Sequence, residues 1–219
     1  YNSQELLEID LDPSLSPIEN AQKYFKKYKK LKKGISILKE QKEKLENELY
    51  YLNSLEFAIE NAKTLADLKE IEEELEKEGY LKEAKEQIIK REKKSEPYKF
   101  VSSDGFEIYV GKNNKQNETL TFQIAKTEDL WLHARGIPGA HVIIKTQGKE
   151  IPENTLYEAS SLAAYFSKGR NSSYVPVDYT KKKYVQKPKG GKPGFVIYKN
   201  EKTIFAKPED ALKFLSQNT

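Results

Sequence analysis

Both histidines and the only tryptophan of this 219-residue sequence fall in one short run, Asp129-Leu130-Trp131-Leu132-His133-Ala134-Arg135-Gly136-Ile137-Pro138-Gly139-Ala140-His141. Alternation along a strand puts Leu130 and Leu132 on one face, with Trp131 and His133 on the other. An indole, an imidazole and the Arg135 guanidinium at a strand end could stack an unpaired base and hold its phosphate. The competing reading makes Trp131 a core residue and His133 and His141 hydrogen-bonded structural groups, because tryptophan is usually largely buried. A hydrolytic metal held by His133, His141 and Asp129 or Asp178 is a third reading. It lacks a tight ligand repeat such as HExxH, so no metal site is expected.

The second group of chemically competent residues is cationic. Lys168 and Arg170 flank Gly169 at a helix end, where they could simply complement the helix dipole. Lys181, Lys182 and Lys183 follow, then Lys187, Lys189 and Lys192 in a stretch interleaved with Pro and Gly. Such a stiffened loop with exposed N–H groups suits a phosphate chain. Residues 165–207 hold eleven basic and two acidic residues, whereas residues 1–95 hold 19 basic and 21 acidic. Charge segregated in this way is the footprint of a polyanion binder. Gly190-Gly191-Lys192 lacks the spacing of a phosphate-binding loop, and no Ser-His-Asp elbow is present. No catalytic residue and no cofactor is therefore expected.

Two kinds of element must position these residues. Ser16, Pro17 and Glu19 make a helix start. From there a 3-4 spacing runs through Ala21, Tyr24, Tyr28, Leu31, Ile35, Leu38, Lys42, Leu45, Leu49, Leu52, Glu56 and Ile59, with Lys42 and Glu56 as faults. That repeat predicts a coiled-coil seam, about 69 Å long over residues 17–62. Asn61 to Thr64 reads as a turn, with Thr64 and Asp67 as a capping box. A return helix follows through Leu68, Ile71 and Leu75, is interrupted at Gly79, and resumes through Leu81, Ala84 and Ile88. Lys23, Lys26, Lys27, Lys30 and Lys33 belong to a run of lysines without an acid, which a polyanion would relieve. Beyond Pro97 the texture turns to short strands at 98–101, 106–110, 130–133, 141–145, 174–179, 183–186, 195–198 and 203–206. Helices are expected near 115–125, after Pro152 and after Pro208. The class is α+β: residues 1–16 a linker, 17–95 a long antiparallel coiled-coil helical hairpin, and 96–219 a compact mixed domain.

Cysteine and methionine are absent and the first residue is Tyr1. The expectation is a piece of a longer protein without thiol chemistry. No apolar run approaches the roughly 18 residues of a membrane span, so no membrane partner is expected.

Several motifs carry a family resemblance. Gly111-Lys112-Asn113-Asn114-Lys115-Gln116-Asn117-Glu118, the Asp129–Arg135 run, Ile137–Ile144, Ala163–Lys168 and Lys187–Phe195 resemble the NFACT-R domain. Asn20-Ala21-Gln22-Lys23-Tyr24-Phe25-Lys26-Lys27-Tyr28 is similar to the start of the same family's coiled coil. The family comprises RqcH-type proteins, also called fibronectin-binding protein A-like, with NEMF as eukaryotic relative. The resemblance implies a non-enzymatic ribosome quality-control factor that binds obstructed large subunits carrying peptidyl-tRNA and recruits tRNA for alanine tailing. It implies rRNA, ribosomal protein and tRNA as partners and a cytoplasmic location. Determinants of tRNA choice would lie in an N-terminal domain outside this sequence. The alternatives are a fibronectin-binding adhesin at the cell surface and a metal-dependent nuclease.

Overall fold

The computed structural model describes residues 8–82 and 95–215, which form two compact units, residues 1–49 and 50–219. One helix, α1 (Pro17–Asn61), runs through both. Its start follows the expected chemistry: the Ser16 backbone N–H and hydroxyl both donate to Glu19 Oε2 at 2.7 Å. In the first unit the buried Asn20 side chain accepts from the Asp12 N–H at 2.8 Å and donates to the Asp12 carbonyl. Lys23 is engaged with Asp12 at 3.2 Å, while Lys26, Lys27, Lys30 and Lys33 stand in solvent.

Among the described residues, the expected seam positions of α1 are mostly in solvent. Tyr28, Leu31, Ile35, Leu38, Leu45 and Leu49 are each more than half exposed. Where α1 does acquire a partner, α2 (Leu65–Lys77), the buried residues are Tyr51, Leu55 and Ala58, packed with Ile71, Leu75 and Ala62. This face lies one residue back from Leu52, Glu56 and Ile59. What α2 offers selects this face: Ile71 packs with Tyr51, Leu55 and Ala58, and Glu74 accepts from the Tyr51 hydroxyl. Glu56, a fault in the seam, points elsewhere and accepts from Lys168 Nζ at 2.6 Å. The α1–α2 turn is as expected, with the Thr64–Asp67 capping box present, and α2 stops at Glu78 before Gly79, whose φ is +81°. The expected continuation through Ala84 and Ile88 lies outside the described residues.

The rest of the second unit is built on a six-stranded antiparallel sheet. Its strands are β1 (Tyr98–Val101), β2 (Glu107–Val110), β3 (Leu130–Ala134), β4 (Val142–Ile144), β5 (Val175–Lys181) and, after a small ribbon of β6 (Val185–Gln186) and β7 (Ile197–Tyr198), β8 (Lys202–Ala206). The order is β1-β2-β4-β3-β5-β8. Between β2 and β3 come α3 (Asn114–Thr119) and a π-helical turn, Leu120–Ile124. Helix α4 (Glu153–Tyr165) follows β4, and a short α5 (Leu212–Leu215) ends the described chain.

Both faces of the sheet are covered. On one, Leu132, Ala134, Val142 and Ile144 meet Leu162 and Ala163 of α4 and Phe214 of α5. On the other, Trp131 and Ile143 meet Leu120 and Val185. At about 25 cal/mol per Å² of apolar surface, this two-sided burial is the dominant stabilising term. One close approach locks α4 to the sheet: Gly139 bridges to Ser167 and the Ala140 N–H donates to the Phe166 carbonyl at 2.7 Å. A Cβ at Gly139 would lie 2.8 Å from the Ser167 Cβ and 3.1 Å from the Phe166 carbonyl oxygen. Gly139→Ala is expected to lower unfolding free energy by about 1–3 kcal/mol, the usual cost of overpacking. Denaturant melts will read this as a fall in midpoint at constant slope.

Candidate nucleic-acid interface

Strand β3 pairs with β4 and β5, so its Trp131 face is fixed by register opposite Ile143 and Thr180. The π-helical turn and the β6–β7 ribbon then close over that face. Trp131 is completely buried, packed with Tyr109, Phe122, Val196 and Tyr198. The base-stacking platform is therefore corrected: an indole with no exposed surface cannot stack an incoming base. Strand alternation is right, but the second face is also interior. His133 is partly buried and stacks on Trp131 at 5.8 Å between centroids, and His141 meets both rings edge-on at 5.1 and 5.3 Å.

The histidines belong to a structural polar network. His141 is buried; its backbone N–H donates to Asn117 Oδ1 at 2.9 Å and its Nδ1 lies 2.8 Å from Thr121 Oγ1. Burial pushes the His133 imidazole down to about 4, against smaller opposing effects of the Gly139 carbonyl and Asp178. Burial, and then the adjacent His133, hold His141 well below its usual range. Asp178 is occupied: Thr203 Oγ1 donates to it at 2.6 Å and the Tyr198 hydroxyl at 2.9 Å. Among the described residues no group of three or more His, Asp or Glu is placed to hold a metal ion. Arg135 remains at the surface, its side chain 60% exposed and 3.7 Å from Asp178.

The lysines divide into three sets. Lys168 reaches Asn53 at 2.9 Å as well as Glu56, and Arg170 donates to Asn61 at 2.6 Å while its guanidinium lies 4.5 Å from the Tyr165 ring centroid. These two are struts between α1 and the end of α4. Lys192 is held in a second strut, 3.3 Å from Glu78 and 4.7 Å from the centroids of Tyr51 and Tyr80. It precedes Phe195, which packs into the helical cluster and pins that loop. Lys187 is spanned by Glu118 at 2.8 Å.

The third set forms a surface. The Lys182 N–H donates to the Asp129 carbonyl and the Lys183 N–H to the Thr127 carbonyl, which seats the triple lysine on the turn 126–129. Glu128 bridges Lys181 at 2.9 Å and Lys183 at 2.8 Å, and those two lysines hold its carboxyl down at about 2. Lys182 lies 5.9 Å from the Phe122 centroid, and Lys126 is exposed on the same turn as Glu128. Lys189, on the exposed loop beyond β6, pairs with no acid among the described residues.

The polar seam that joins the helices to the sheet was not expected from the sequence. The buried Glu74 of α2 accepts from the Tyr51 hydroxyl at 2.8 Å and from Asn114 Nδ2 at 3.1 Å. Asp67 accepts from Ser95 and lies 3.4 Å from Lys112 Nζ. Burial alone would raise its carboxyl, but the hydrogen bonds from Ser95 and Thr64 and the Lys112 charge outweigh this and bring it to about 2. The run of amides at 113–117 was the available signal: so many in one short helix need partners.

A double-covered antiparallel sheet with a basic turn at its rim and α2 packed beside it marks the second unit as an α+β domain. The family description for NFACT N-terminal and middle domains matches residues 1–96, and that for the NFACT protein RNA binding domain matches residues 96–200. The chain is 43% identical over 203 residues to the Rqc2 homolog RqcH of Bacillus subtilis (strain 168), covering 92% of this chain and 35% of that relative. It is 45% identical over 216 residues to the RqcH of Streptococcus suis (strain 05ZYH33), covering 97% and 38%. The chain thus spans a little over a third of the length of these relatives. A solved structure, the C-terminal part of the fibronectin/fibrinogen-binding protein from Streptococcus suis, superposes with a TM-score of 0.80 at 42% identity, covering 90% of this chain and 79% of that one. The chain belongs to the NFACT family, as an RqcH-like member.

Because the histidines are neutral when folded and protonate on unfolding, the unfolded chain binds more protons below pH 6.5. Stability must then fall as pH drops from about 6.5 toward 4. For His133 alone the loss at pH 5.5 is about 1 kcal/mol. Urea melts of wild type and His133→Gln across this window should converge as pH falls. A proton-resonance titration of His133 should show a midpoint near 4.

Proposed function

We propose that this chain acts in ribosome quality control as a non-catalytic binding part. It grips RNA of obstructed large ribosomal subunits in the cytoplasm and supports tRNA recruitment for alanine tailing. The observation that carries this reading is the cationic turn of the RNA-binding domain, where Lys181 and Lys183 share the single carboxylate of Glu128 and Lys126 and Lys182 lie on the same two segments. Ammonium groups that neutralise phosphates release the cations condensed on the RNA, which is the main source of sequence-independent RNA affinity. The relatives named as Rqc2 homologs support the ribosomal context. Peptide bonds would be made by the ribosome, and no step is assigned to a residue of this chain.

A second reading, adhesion to fibronectin, draws on the name of the Streptococcus suis protein whose C-terminal part superposes. A basic surface captures acidic glycoproteins by charge alone, so a pull-down that survives raised salt would favour this reading over the first.

Reversing Lys181, Lys182 and Lys183 to Glu is expected to weaken co-sedimentation with purified large subunits by at least tenfold. It should also flatten the salt dependence by about 0.7–0.9 in log–log slope for each phosphate no longer neutralised. Co-sedimentation that ignores both salt and these substitutions contradicts the proposal.

A further inference from the structure

A cavity of about 220 Å³ opens between the α1–α2 turn and the sheet domain, beside the Arg170 strut. It would hold about seven waters and is smaller than the roughly 300–1,000 Å³ of sites for drug-sized ligands. Its scale is that of one base or nucleoside. Its chemistry is mixed in a particular way. Lys63 and Lys112 lie 5.8 and 4.8 Å from the centroid of Tyr98 on one side, and Arg170 covers Tyr165 on the other. Glu60 is the only acid among the described lining residues. The lining also includes Asn61, Asn113 and Asn117, each already held within the chain by Arg170, Glu70 and the His141 N–H respectively. Gly111 and Gly139 leave the floor without side chains.

An inorganic anion needs only the cations, and an apolar ligand only the rings. A ligand with a flat π-face and a negative charge uses both features. That is an unpaired nucleotide. A second hollow lies on the far side of Arg170, lined by Asn171, Ser172, Ser173 and Tyr174, with Lys207 5.4 Å from the Tyr174 centroid. Arg170 lines both.

We propose that the Tyr98–Tyr165 cavity takes one unstacked nucleotide of single-stranded RNA, with the adjoining phosphate on Arg170 and the next nucleotide beside Tyr174 and Lys207. The proposal rests on the RNA-binding reading and adds to it a preference for single strands over duplex. The triple-lysine turn, by contrast, meets backbone charge alone.

The experiment uses the full chain and a fluorescein-labelled single-stranded RNA, with a duplex of equal length beside it. Lys63→Glu and Lys207→Glu avoid the Arg170 strut and should each weaken single-strand binding by about fivefold or more, the lower end of what removing one stacked base costs. Duplex binding should change less than about twofold, and Lys149→Glu, at an exposed turn elsewhere, should leave both within about that range. AMP should displace the single strand where the same concentration of inorganic phosphate does not. A 4-thiouridine oligonucleotide should cross-link to Tyr98 or Tyr165. Equal losses on duplex and single strand, competition by phosphate equal to that of AMP, or full single-strand affinity in Lys63→Glu and Lys207→Glu would each overturn the pocket while leaving RNA binding intact. Wild type that binds neither RNA would sink the parent reading instead.

Discussion

The constraint on which the rest depends is that the six-stranded sheet is buried on both faces. An antiparallel sheet of this kind often leaves one face to water. Here α4 and the C-terminal helices cover one side, and the π-helical turn with the β6–β7 ribbon covers the other. With both faces closed, function moves to the rims and loops: the 126–129 turn against Lys181–Lys183, and the seam where the second half of α1 meets the sheet. The polar contacts of that seam, Lys168–Glu56, Arg170–Asn61 and Asn114–Glu74, decide which cations are free to meet a partner.

Most of the fold was legible. Each strand expected beyond Pro97 has a counterpart within a few residues, because β-branched runs bounded by Gly and Pro leave little choice. The helix start at Ser16–Glu19 and the capping box at Thr64–Asp67 were equally local. The coiled-coil seam was not, since a seven-residue stripe on α1 does not say which of its faces meets Ile71 and Glu74 of α2. Helix α2 is seated one residue to the side, on Tyr51, Leu55 and Ala58.

The site was half legible. Net charge along the chain identified the basic domain, yet charge per segment says nothing about acids brought in from far away. Glu56, Glu78, Glu118 and Glu128 each meet a lysine that sequence alone counted as available. Likewise, alternation placed Trp131 and His133 on a common face but could not say whether that face met water. Tertiary contacts between distant segments settle both questions, and no local pattern encodes them. Conversely, Tyr98 and Lys63 carry no motif of their own and matter only because folding gathers them with Lys112 around one cavity.

RNA contact is therefore expected on these rim surfaces and not on the tryptophan segment. Photo-crosslinking of the full chain to purified large subunits, with mass-spectrometric mapping of the linked peptides, asks this directly. Adducts are predicted on the 126–129 turn, on Lys181–Lys183 and on the walls of the Tyr98–Tyr165 cavity. Adducts centred on Trp131 and His133, with the lysine turn unmarked, would contradict that expectation.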